Sequence, residues 1–200
     1  MSAEYCAMAP SHPIHGPYHN GEYGFPSRDD RVLFERLVLE INQAGLSWLT
    51  VLKKRAAFAA AFANYDLERV ARFGAADKRR LLADAAIIRN RLKIEAIISN
   101  ARTVLDIAAR EGSFAAWIDR HHPLSKDRWV KLFRDTFRFT GGEIVGEFLM
   151  SLGYLPGAHV ASCPVQAQIL RLGPPWYRAS QAKAKNTVKK TGKTTVSTKK

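Results

Sequence analysis

Asp84-Ala85-Ala86-Ile87-Ile88-Arg89-Asn90-Arg91-Leu92-Lys93 is a brief apolar bend that runs straight into basic residues. Both flanks read as helices, one over about 76–83 and a longer one over about 89–110, where Ile94, Ile97, Ile98, Val104, Leu105 and Ile107 keep largely to helical spacing. The same periodicity continues toward the N-terminus. Val32, Leu33, Leu37, Val38 and Ile41 follow Asp29-Asp30, a pair suited to cap a helix start. Gly45 breaks that helix, and Ser47 caps a next one carrying Leu49, Val51, Leu52, Phe58 and Phe62 with Lys53-Lys54-Arg55 in its middle. Asp66 opens a short helix that Gly74 closes. Toward the C-terminus, Ser113 and Ser125 are caps for two more, Gly141-Gly142 introduces a helix ending near Gly153, and Pro164 fits the first turn of a last one. No stretch alternates like a strand and none repeats, so the expected fold is all-α. Residues 1–29, rich in Pro, His, Gly and Tyr, read as an ordered, loop-like arm.

With 200 residues, 46% of them hydrophobic and 10% aromatic, the chain can bury a core, which excludes wholesale disorder. No apolar run approaches the ~18–20 residues needed to span a bilayer, and no basic segment precedes an apolar one at the N-terminus. Two distant cysteines do not make a disulfide framework. The expectation is a soluble cytoplasmic protein, monomeric, without membrane contact. The formal net charge is +13, and residues 179–200 hold lysines 183, 185, 189, 190, 193, 199 and 200 with no acid. Composition divides the chain into a helical domain over 1–178 and a disordered basic tail over 179–200. The body alone remains basic, which favours a polyanion partner through counterion release; a merely solubilising tail is the alternative. At the bend, two helices expose backbone N–H groups that attract phosphate, and Arg89, Arg91 and Lys93 strengthen that field. A helix-hairpin-helix grips one DNA strand in this way without reading bases. An ordinary helical corner with a solvated basic face has the same local sequence.

Two further constellations carry chemistry. Cys6 and His19 in the arm, with His159 and Cys163 in the His159-Val160-Ala161-Ser162-Cys163 segment, make a complete tetrahedral zinc shell. Such a site has no open position, so it would be structural, stapling the arm to the helical body. Two buried thiols and two unrelated histidines are the alternative. Glu40, flanked by Leu39 and Ile41 on or near the apolar side of its helix, would be costly to bury without a partner. Trp48 follows a helix end and a new cap, so both side chains can aim into one cleft with Tyr18 and Tyr23. Aromatic faces and one acceptor carboxylate suit a flat cationic heterocycle. A glutamate at the solvent edge of an amphipathic helix is the bland alternative.

Three blocks together resemble the 3-methyladenine DNA glycosylase I family of the helix-hairpin-helix superfamily: Tyr18-His19-Asn20-Gly21-Glu22-Tyr23-Gly24, then Leu39-Glu40-Ile41-Asn42-Gln43-Ala44-Gly45-Leu46-Ser47-Trp48 running into Leu52-Lys53-Lys54-Arg55, and Ile87-Ile88-Arg89-Asn90-Arg91-Leu92-Lys93-Ile94. The likeness extends through Phe137–Gly141 to His159-x₃-Cys163 and covers roughly residues 4–165. It implies a helix-hairpin-helix glycosylase fold whose N- and C-terminal segments are tethered by one structural Zn²⁺ on Cys6, His19, His159 and Cys163. It implies that Glu40 hydrogen-bonds an extruded base, with Tyr18 beside it and Trp48 stacking on its face; Tyr23 is a further candidate for base binding. The hairpin at Ile87, Ile88 and Arg89 would hold phosphate of double-stranded DNA containing alkylated bases. The implied activity is monofunctional excision of 3-methyladenine in base excision repair; a zinc-stapled damage-binding module without catalysis is the alternative. N3-methylation makes the base a cation and a good leaving group, so neither a catalytic aspartate nor a Schiff-base lysine is implied.

The chain departs from the family pattern in several places. Cys6-Ala7-Met8 stands where Gly-Trp usually follows the cysteine, leaving Met8 as the candidate for one pocket wall. Tyr23 replaces the usual Trp, Asn20 an Asp, and Ala86 the glycine that opens the hairpin. After Gly141 the run Gly142-Glu143-Ile144-Val145-Gly146-Glu147 lacks the usual aromatic and threonine residues. These changes bear on substrate range more than on fold.

Overall fold

The structure, a computed structural model, describes residues 3–192. Among them the regular elements are all helices: α1 (Ala3–Met8), α2 (His15–Gly21), α3 (Asp30–Gln43), α4 (Trp48–Lys53), α5 (Arg55–Ala61), α6 (Leu67–Ala71), α7 (Ala75–Ala83), α8 (Arg91–Glu111), α9 (Phe114–His121), α10 (Lys126–Thr136), α11 (Gly142–Ser151), α12 (Pro164–Leu172) and α13 (Pro175–Gly192). Two single 3₁₀ turns, Ala9–Ser11 and Ala63–Tyr65, join neighbours. None of the helices is long and apolar enough to cross a membrane.

The caps follow the sequence. Ser47 accepts from the Thr50 N–H, Asp66 from Arg69, Asn90 from Lys93, Ser113 from Ala116 and Ser125 from Arg128. The Asp29-Asp30 pair divides its work. Asp29 caps α3, whereas both Asp30 oxygens accept N–H groups of Phe114 and Ala115, capping α9 from another helix at 2.7 and 3.0 Å. Helix α3 is the centre of the molecule. Leu33, Phe34, Leu37, Val38 and Ile41 are fully buried against α8, α9 and α11, the last contributing Val145, Phe148 and Leu149.

Three expectations need correction. The arm is not loop-like, since residues 3–21 are mostly helical; its turns are too short for hydrophobic periodicity to register. The helix opened by Ser47 breaks at Lys54 into α4 and α5, and the Lys54 ammonium bonds the carbonyls of Ala85 and Ala86 at 3.3 and 2.8 Å, which holds the hairpin bend. The boundary at 178/179 falls inside α13, where Ala179, Gln181, Ala182, Lys183, Ala184 and Lys185 are good helix formers and residues 180–185 lie in solvent. The rest of the tail, 193–200, is outside the described residues.

Candidate active site

The C-terminal half of α3 and the start of α4 face one cavity of about 120 Å³, lined by Tyr5, Tyr18, Tyr23, Glu40, Gln43, Trp48 and Glu147. That is room for far more than a single water. Glu40 lies where the apolar stripe of α3 reaches the cavity and is only 4% exposed. Its carboxylate has no hydrogen bond or ion pair among the described residues. Burial, with the neighbouring charge of Glu147, raises its pKa well above the ordinary carboxylate value, and Arg36 only partly offsets this. The Arg36 guanidinium is itself buried and committed to the carbonyls of Phe25 and Ser151. The solvent-edge alternative for Glu40 is therefore wrong.

The aromatic walls are interlocked. Tyr18 and Trp48 meet at 5.0 Å between ring centroids with an interplanar angle of 60°, and Tyr18 meets Tyr23 at 5.6 Å. The Tyr23 hydroxyl donates to Glu147 Oε2 at 2.7 Å, and burial holds the hydroxyls of Tyr18 and Tyr23 protonated, hence donors. Met8 does not form the missing wall: it is 46% exposed and away from the cavity lining. Tyr5, one turn of α1 earlier, lines it instead, its hydroxyl 3.2 Å from His15 Nδ1. The arm reaches the cavity because Gly24, at φ +86°, passes so close to α12 and its approach that a Cβ would stand 2.8 Å from Ile169 and 2.9 Å from Ala158.

Behind the pocket, Cys6, His19, His159 and Cys163 converge, all buried, with their ligand atoms within 4.8 Å of one another. Cys163 Sγ is 3.6 Å from His159 Nδ1 and 3.8 Å from His19 Nε2, and Cys6 Sγ is 3.8 Å from His159 Nδ1. A tetrahedral ion with bonds of ~2.0–2.1 Å to nitrogen and ~2.3 Å to sulfur holds such atoms roughly 3.5 Å apart. Each outward ring nitrogen has a partner, Asn20 Oδ1 at 2.7 Å from His19 Nδ1 and the Tyr23 carbonyl at 2.8 Å from His159 Nε2. Those bonds turn His19 Nε2 and His159 Nδ1 inward as acceptors, the arrangement metal-bound histidines need. The set can hold a metal ion.

The hairpin lies between α7 and α8. Arg89 and Arg91 are exposed, Ile87 is buried, and Ile88 packs partly against the core. Lys93 does not join that surface. It is 4% exposed and its ammonium donates to the carbonyls of Asn42 and Ala44 at 2.8 and 2.7 Å, satisfying the end of α3. Residues that sequence reasoning passed over are Tyr5, Gln43 and Glu147 in the cavity, and Arg55, which bonds Glu22 bidentately and Glu35 beside it.

A family described as methyladenine glycosylase matches residues 8–129. DNA-3-methyladenine glycosylase 1 of Escherichia coli (strain K12) is 36% identical, covering 80% of this chain and 95% of the relative. The Haemophilus influenzae DNA-3-methyladenine glycosylase is 32% identical, covering 80% and 96%. Among solved structures, the crystal structure of a 3-methyladenine DNA glycosylase I superposes with a TM-score of 0.72 at 36% identity over 80% of this chain and 97% of that one. The Staphylococcus aureus 3-methyladenine DNA glycosylase I, solved to explain its recognition of 3-methyladenine, gives a TM-score of 0.73 at 32% identity over 82% and 97%.

Proposed function

The chain belongs to the methyladenine glycosylase family, and on that premise we propose that it hydrolyses the N-glycosidic bond of 3-methyladenine in alkylated duplex DNA. The observation that carries this reading is Glu40, a buried carboxylate without a hydrogen-bond partner among the described residues, in a cavity walled by aromatic rings. Such a group costs free energy until something with donors and positive charge enters. An extruded N3-alkylated adenine brings both. Its amine donates to Glu40, its charge restores the ionised carboxylate, and its ring lies against Trp48, with Tyr18 and Tyr23 closing the pocket. Neutral adenine offers the same amine but no positive charge to restore the ionised carboxylate, and is disfavoured. The alkylated base is already a good leaving group, so selective binding of its charged, departing form contributes to the rate. Water completes the hydrolysis and leaves an abasic site.

The hairpin, with the Ile87–Arg89 backbone and the exposed Arg89 and Arg91, supports docking on phosphate. Zn²⁺ fits the two-thiolate, two-imidazole donor set, where it would supply a closed, structural crosslink between the arm and the segment before α12. Cys6 is adjacent to Tyr5, so that crosslink also fixes one wall of the base pocket. The expected metal content is one zinc per chain by mass spectrometry of the intact protein; a metal-free protein with full thermal stability contradicts the crosslink.

The function is tested by chromatography of free bases released from methylated duplex DNA, with wild type and Glu40→Ala side by side. Release of 3-methyladenine by the wild type, reduced about 100-fold or more in the variant, is the expected result, a charge-assisted hydrogen bond and its ion pairing being at stake. Tight binding of methylated DNA without base release would instead indicate a damage-binding module.

A further inference from the structure

The base pocket holds a second carboxylate. Glu147, on α11, lines the same cavity as Glu40 and also the open groove that continues from it past Gln43 and the Ala44–Ser47 turn. One of its oxygens, Oε2, accepts from the Tyr23 hydroxyl at 2.7 Å; the other has no hydrogen-bond partner among the described residues. No lysine, arginine or histidine lines the cavity. Arg36, whose charge only partly offsets the push on Glu40, donates to the carbonyls of Phe25 and Ser151. Holding Tyr23 in place requires only a neutral acceptor of the same length, which a glutamine would provide. A full charge does more than that, and it acts on Glu40, whose carboxyl is pushed toward its neutral form partly by Glu147. Two carboxyl groups facing one small aromatic cavity share a demand for positive charge: a cationic base with N–H donors lets both ionise and accept, whereas a neutral base leaves that demand unmet.

We propose that Glu147 is a specificity-determining residue: positioned by Tyr23, its free oxygen joins Glu40 in selecting bases by positive charge, so that the pocket takes N-alkylated purine cations and rejects neutral purines of the same shape. The inference rests on the glycosylase reading and deepens it.

The test compares two probes that carry a methyl group where the sugar would be attached, the cation 3,9-dimethyladeninium and the neutral 9-methyladenine. Their affinities are measured by calorimetry with the full-length wild type and with Glu147→Gln. Glutamine still accepts the Tyr23 hydroxyl, so a merely structural role leaves the cation-to-neutral ratio unmoved. The expected result is a wild-type preference for the cation that falls roughly tenfold or more in the variant, as loss of a charge-assisted contact requires. An unchanged ratio, or a wild type without preference, overturns the inference. Base release from methylated DNA is measured on the same wild-type preparation. Release together with an unchanged ratio refutes only the role of Glu147; absence of release refutes the glycosylase reading and this inference with it.

Discussion

Helix α3 carries two glutamates with opposite fates. Glu35 accepts from Arg55 Nε at 2.8 Å, and the same guanidinium takes both oxygens of Glu22 at 2.7 and 2.8 Å, so every charge in that cluster is answered. Five residues on, Glu40 is buried deeper and has no hydrogen bond among the described residues, with Glu147 adding charge of the same sign. The arm shows the same division between neighbours, Glu22 closing the ion-paired cluster and Tyr23 donating to Glu147. One cluster stabilises the docking of the arm on α3 and α5. The other leaves electrostatic demand unmet, and a cationic ligand is what meets it.

The comparison is broken most forcefully at Arg55. Arg55→Ala leaves two half-buried carboxylates facing each other, with an expected loss of about 2–3 kcal/mol, below the value for fully buried pairs because the partners are partly solvated. Chemical denaturation reads the loss, while base release per folded molecule is expected to hold. A smaller effect separates the two basic residues beyond the hairpin. Lys93→Ala should cost about 1–2 kcal/mol, since its ammonium closes two carbonyls, and should leave the salt dependence of DNA binding unchanged. Arg91→Ala should do the reverse, lowering the slope of log K against log salt by about one with stability almost unmoved. The smallest effect is the pH dependence of Glu40. Its folded pKa is raised, so the folded state holds the proton more tightly, and stability linked to this group is full below the ordinary carboxylate range and declines as pH rises above it. The stability gap between Glu40→Gln and wild type in the free protein should therefore be small near pH 4 and widen toward neutrality.

The helical frame was readable because its signals are local. Asp29, Ser47, Asp66, Asn90, Ser113 and Ser125 cap helices, and α3 and α8 keep long apolar periods. Cys6, His19, His159 and Cys163, a set that could hold a metal ion, converge, and Glu40, Tyr18, Tyr23 and Trp48 line one cavity. What escaped depends on distance. Lys93 reads as part of a basic surface until the end of α3 is seen beneath it. Tyr5 sits on a six-residue helix with no period to detect. Glu147 carried the same signal as Glu40, a carboxylate between buried apolar neighbours, here Val145 and Phe148, but only folding brings α11 to α3.

The central claim is that Glu40 is retained for the ligand at the expense of the fold. Glu40→Gln tests it in one preparation by thermal unfolding and single-turnover release of 3-methyladenine. The expected midpoint at neutral pH is raised by about 2–4 °C, what ~1 kcal/mol is worth in a chain of this size, together with a loss of base release. Unchanged release, or a variant less stable than the wild type, would contradict it.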